Sequence, residues 1–211
     1  GMTVSPFARF AHERLPGIGH NNGPSLDGAR SWRRHCWKAA KKAVAPPAPL
    51  EVVRRRVARA RQLGLAYPAY ASILLGTGRD VRGLLFTAGA LGLTVAGALD
   101  RLVRLDREKA ERLRALERCD RLILLPAGAP LAGVAEALER QDRIAVAGLG
   151  SAPDEPASFT TRAAAMGTLL STPGLPANTV VMIGTLPEER ETAAAGRLAK
   201  FLAADLYFVG P

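Results

Sequence analysis

Apolar positions along this chain follow two rhythms, and the change between them falls near residue 118. In the first part the spacing is helical. Trp32, Cys36, Ala39 and Ala40 recur at three and four residues and predict a short helix over 28–44, stopped by Pro46-Pro47-Ala48-Pro49. Val53, Val57 and Ala60 line one face of a helix over 50–63, with Glu51 in its first turn and Gly64 past its end. Another helix is expected from Pro68 to Gly76. Thr77-Gly78-Arg79-Asp80 then turns into a helix running to Leu91, with Asp80 as its N-cap. Leu99, Leu102, Leu113 and Leu116 sit at heptad-like spacing in a long amphipathic helix over 95–117, a candidate dimer seam interrupted by Asp106 and Lys109.

From Cys119 the pattern becomes strand, helix, strand. Arg121–Pro126 is a continuous apolar strand, Leu131–Gln141 a helix and Arg143–Ala147 a second strand. Thr160–Leu170 is a helix, Thr179–Ile183 a third strand, Pro187–Ala203 a helix and Leu206–Val209 a last strand. That alternation implies right-handed crossovers and a parallel sheet covered on both faces. The expected fold is therefore a two-part α+β chain. An arm with a basic helix occupies residues 1–45, a basic all-α domain 46–118, and a small α/β domain with a four-stranded, Rossmann-like parallel sheet 119–211.

Charge sharpens this division. Residues 1–118 carry 22 Lys and Arg against 9 Asp and Glu, whereas residues 119–211 carry 7 against 10. A basic helical part beside a mildly acidic α/β part suggests an electrostatic footprint joined to a separate module. Ala71 and Val81 stand ten residues apart across the turn at 77–80, a spacing that suits a helix-turn-helix, and this places Arg79 and Arg82 at the start of the second helix. Arg54, Arg55 and Arg59 on the preceding helix would reach phosphates. Arg33, Arg34 and Lys38, interleaved with Trp32 and Trp37, suit stacking on bases together with phosphate contact.

The α/β part offers a different chemistry. Ligands bind such sheets at the carboxyl ends of the strands, here Gly148, Gly150 and Ser151 after one strand and Gly184 and Thr185 after another. Thr185 with Glu188 reads as a capping box with Pro187 in the first turn, and free amides there could hold an anion. No catalytic constellation is expected. This part has no histidine, and its one thiol, Cys119, precedes the first strand.

Several classes are set aside. Cys36 and Cys119 make neither a disulfide framework nor a zinc pattern, and His12, His20 and His35 lack ligand spacing, so no metal site and no cofactor are expected. Residues 83–99 are uncharged, but the glycines spread through them favour packed helices over a membrane span. Gly1 ahead of Met2 reads as a remnant of tag removal. The following stretch has no apolar signal core, so the expected location is cytoplasmic.

Gly19-His20-Asn21-Asn22-Gly23-Pro24, Tyr70-Ala71-Ser72 with Thr77-Gly78-Arg79-Asp80-Val81, and Val180–Glu189 with Gly184-Thr185 resemble segments of bacterial proteins of unassigned activity. The resemblance implies a shared fold and no particular chemistry. The expectation drawn from the residues is a non-enzymatic, nucleic-acid-associated protein, homo-oligomeric, whose α/β half serves dimerisation or sensing. The alternative is a small-ligand or nucleotide-binding α/β protein or enzyme, with its site at the carboxyl ends of the strands.

Overall fold

The computed structural model describes residues 48–96 and 102–209. Residues 49–211 group as one compact unit. Helix α1 (Leu50–Gln62) begins after Pro49, with Glu51 in its first turn and Arg59 and Arg61 in its last, the charge order a helix dipole favours. Helix α2 (Tyr67–Thr77) has Pro68 in its first turn and ends on Gly78 in the left-handed conformation, φ 67°.

The helix expected from Asp80 to Leu91 is instead a strand followed by a short helical turn: β1 (Gly83–Thr87) and α3 (Ala88–Leu91). All five residues of β1 are buried. A strand buried on both faces has no polar face, so it shows a plain apolar run rather than a period. The long helix expected over 95–117 is likewise replaced. Strands β2 (Thr94–Ala96) and β3 (Leu102–Arg104) pair antiparallel, and α4 (Arg107–Arg114) follows. Asp106, which looked like a break in the seam, caps α4 by accepting a hydrogen bond from Lys109 N at 3.1 Å. Leu113 and Leu116 are buried in the protein's own core, so the dimer seam does not form, and Leu99 lies outside the described residues.

The later elements keep the expected order with shifted ends. They are β4 (Asp120–Leu125), α5 (Val134–Asp142), β5 (Gly148–Ser151), α6 (Phe159–Ser171), β6 (Val180–Gly184), α7 (Pro187–Ala195), β7 (Lys200–Ala203) and α8 (Ala204–Val209). The strand expected over Arg143–Ala147 lies further on, as β5. The last strand expected, Leu206–Val209, is helix, and the strand before it begins where α7 was expected to continue. Gly196 stops α7 early, leaving Lys200–Ala203 to pair with β6.

Five strands form one parallel sheet in the order β5-β4-β1-β6-β7. The sheet is thus larger than the four strands expected, and its central strand comes from the part read as all-α. Residues 46–118 are not a helical domain, because β1 pairs with both β4 and β6. The strand order is that of a doubly wound, Rossmann-like α/β fold. On one face, Leu84, Phe86, Ile123, Leu125, Val181 and Ile183 pack under α1, α2, α4, α5 and α8. On the other, Leu85, Leu122, Leu124, Val180 and Met182 pack under α6 and α7. Among the described residues no helix is long and apolar enough to cross a membrane. The arm expected over 1–45, and the basic helix expected in it, lie outside the described residues.

Candidate ligand site at the carboxyl edge of the sheet

The chain leaves β1 toward β4 on one side and reaches β6 and β7 on the other, so the order reverses between β1 and β6. At such a reversal the flanking connections diverge, and a crevice opens at the carboxyl ends. Here that edge holds a cavity of about 700 Å³. Leu124, Leu125 and Pro126 from the end of β4 and Ala152 and Pro153 beyond β5 give it apolar walls, while Glu155, Thr185, Glu188 and Glu189 supply polar groups. Ala88 and Gly89 close it from the end of β1. Gly89 brings the backbone close to Thr185: a Cβ there would stand 3.1 Å from Thr185 Oγ1, a tight contact that the hydroxyl would have to yield to. A second cavity of about 440 Å³ lies beside the first and shares Thr185, with Lys109, Asp205 and Phe208 in its wall.

The carboxylates have distinct duties. Glu155 takes both arms of the Arg162 fork, at 2.6 and 2.7 Å. The Arg162 hydrogen bonds hold the Glu155 carboxyl below its ordinary value, and the same pair raises the guanidinium's. Arg162 is buried at the start of α6. It also donates to Thr192 Oγ1 and to the Glu188 carbonyl, and stands 3.4 Å from Glu191. Glu189 Oε1 accepts from Thr185 N and Leu186 N, both at 2.8 Å. The N-cap is therefore Leu186, and the carboxylate closing the helix start is Glu189 rather than Glu188. Pro187 occupies the first helical turn, so the helix begins one residue later than the expected capping box requires. The Glu188 carboxylate accepts no hydrogen bond among the described residues and faces the cavity.

Of the ligand residues expected from sequence, Thr185 alone lines this cavity. Gly148, Gly150 and Ser151 are not a loop after a strand but β5 itself. Their glycines answer to packing: a Cβ would lie 2.8 Å from Leu122 Cδ2 at Gly148 and 2.9 Å from Leu169 Cδ1 at Gly150. Gly184 likewise ends β6 under the Phe201 ring, 2.7 Å from where its Cβ would be. The amides expected to hold an anion near Thr185 are taken by Glu189. From sequence Glu155 reads only as a loop acid that would repel phosphate, and its partner Arg162 was missed, because nothing local marks a buried arginine until α6 is seen against α7.

The residues expected to meet nucleic acid separate. Arg59 is a structural clamp, 13% exposed. It donates to Asp80 at 2.9 and 3.2 Å and to the carbonyls of Val81, Glu117 and Arg118, each at 2.9 Å. Arg54 and Arg55 are exposed on α1, Arg54 beside Glu51 at 3.4 Å. Arg79 and Arg82 are exposed at the amino end of β1. They do not start a recognition helix, since β1 stands where that helix was expected, and the helix-turn-helix is absent. Arg33, Arg34 and Lys38 lie outside the described residues. Among the described residues no group of His, Cys, Asp and Glu could hold a metal ion. Comparison with protein-family models, curated proteins and solved structures finds no match to this chain.

Proposed function

We propose that this protein binds a small molecule at the carboxyl edge of its sheet. The observation that carries the reading is the cavity of about 700 Å³ at the β1/β6 reversal, within the size range of sites for drug-sized ligands, roughly 300–1,000 Å³. Its apolar walls suit a ring or aliphatic body. The Glu188 carboxylate, which accepts no hydrogen bond among the described residues, and the hydroxyl of Thr185 suit amine or hydroxyl donors. Phosphate is disfavoured, because three glutamates face the space and Glu189 already holds the amides an anion would use. The ligand class is therefore neutral or cationic, of nucleoside size.

A thermal-shift screen tests this with neutral nucleosides and amine-bearing metabolites beside their phosphorylated counterparts. Saturation at a hundred times Kd adds about 2.7 kcal/mol, which for a chain of this size raises Tm by roughly 5–10 °C. Neutral or cationic compounds should give the shift, and Ala152→Phe, which fills the cavity, should remove it. No shift with any compound, or a shift that survives Ala152→Phe, refutes the assignment.

A further inference from the structure

The opposite edge of the sheet has the opposite charge. The turns that lead into the strands carry Arg79 and Arg82 before β1, Arg118 before β4, Arg143 before β5 and Arg197 before β7. All five are exposed, and their guanidinium groups make no hydrogen bond or ion pair among the described residues. The acids in these turns are Asp80, Glu117 and Asp142. The Asp80 carboxylate is committed to Arg59, Tyr70 and Val81 N. The sheet order sets Arg143, Arg118, Arg82 and Arg197 along one rim, spanning about four strand spacings or roughly 19 Å.

Backbone conformation gives a second, independent observation. Among the described residues just three other than glycine have positive φ: Arg118 at 51°, Arg143 at 53° and Arg197 at 57°. That region favours glycine, since a Cβ crowds the following carbonyl there. At the comparable turn after α2 the chain does use glycine, Gly78 at 67°. Three arginines held where glycine is easier, all on one edge and all unpaired, point to a demand for charge at that edge.

We propose that this arginine rim binds the phosphodiester backbone of nucleic acid. It is a surface distinct from the carboxyl-edge cavity; it keeps Arg79 and Arg82 from the expected helix pair but sets them on a sheet edge beside Arg118, Arg143 and Arg197. Arginine forks match phosphate oxygens two at a time. A membrane surface fits less well, because peripheral attachment combines charge with apolar insertion, and these turns hold no exposed large apolar side chain.

The test is fluorescence anisotropy with a 20-base-pair duplex across a salt series from about 50 to 200 mM, comparing the full chain with the triple variant Arg118→Gly, Arg143→Gly, Arg197→Gly. Glycine keeps the turns without strain, so the variant should fold with Tm unchanged within a few degrees. Each lost phosphate contact lowers the slope of log K against log salt by about 1, so the triple variant should lose about 3. Residues 1–47 carry cations of their own, so the difference between the two chains decides the matter. No duplex binding by the full chain, an equal slope in the triple variant, or binding to phosphatidylserine vesicles in place of duplex overturns the proposal. If glycine at all three positions prevents folding, Arg82→Gln with Arg79→Gln supplies the same comparison, with an expected loss of about 2 in slope.

Discussion

Replacing Arg59 by methionine separates a structural arginine from a ligand-seeking one. Methionine keeps much of the apolar stem and removes the fork. The fork joins α1 to the turn before β1, through Asp80 and the Val81 carbonyl, and to the turn before β4, through the Glu117 and Arg118 carbonyls. The Val81 contact is partly buried, and a charge-assisted hydrogen bond there contributes about 2 kcal/mol. The Glu117 and Arg118 carbonyls can turn to water once the fork is gone, so each counts for about 0.5 kcal/mol. Asp80 is 49% exposed, which holds its ion pair to about 1 kcal/mol or less. The total is about 3–4 kcal/mol. Urea unfolding monitored by circular dichroism should report that loss, with Tm falling by about 6–16 °C. Arg55→Met, at an exposed position on the same helix, should stay within about 0.5 kcal/mol. A loss below about 1 kcal/mol for Arg59→Met would refute the clamp and return Arg59 to the pool of arginines available to a partner.

Two further outcomes follow from the titrating groups. The Glu155 carboxyl is lowered in the fold from its ordinary 4.5 by Arg162, so its contribution is fully present above that pH and fades as pH falls through the folded value. The stability gap between the protein and Glu155→Gln should therefore be constant at neutral pH and close below about pH 4.5; a gap unchanged down to pH 3 contradicts the pairing. Burial, the largest cause, pushes the Cys119 thiol up to about 11. In a Cys36→Ser chain it should react with a disulfide reagent at pH 8 far more slowly when folded than in urea, and equal rates would place it at the surface.

How much of this was legible depended on whether a segment's environment is written in its own residues. Val180–Gly184 and Asp120–Leu125 could be read as strands, being short apolar runs set between turn residues and amphipathic helices. β1 has the same kind of run, Gly83-Leu84-Leu85-Phe86-Thr87, but it follows two real helices and leads into an Ala-Gly-Ala-Leu segment of helical propensity. Periodicity does not separate a fully buried strand from a buried helix, and here the neighbours misled. Placing β1 at the centre changes the rest: the domain boundary disappears, the helix-turn-helix goes, and the site moves to the β1/β6 reversal. The site itself was half visible. Thr185 was marked by its place after a strand, whereas the burial of Arg162 depends on α6 meeting α7, through Thr192 and the Glu188 carbonyl, and no spacing announces its pairing with Glu155 in the loop before α6.

The arginine rim also bears on why charge is distributed as it is. In a doubly wound fold the helices run antiparallel to the strands, so their carboxyl ends gather at the amino edge of the sheet, and the helix dipole favours cations there by about 0.3–1 kcal/mol each. That could account for basic residues at this edge in general. It does not account for Arg118, Arg143 and Arg197 at positive φ, because left-handed backbone costs a residue with a Cβ roughly 1–2 kcal/mol. The dipole gain at an exposed, salt-screened position is no larger than that cost, so arginine contributes nothing net to the fold at these turns. Asparagine or glycine would serve stability as well or better. The three side chains are then to be explained by what they meet outside the chain. On the two proposed readings, the glutamate-lined carboxyl edge would repel the anions the amino edge attracts, so one sheet would keep a small neutral or cationic ligand and a polyanion at opposite ends of its strands.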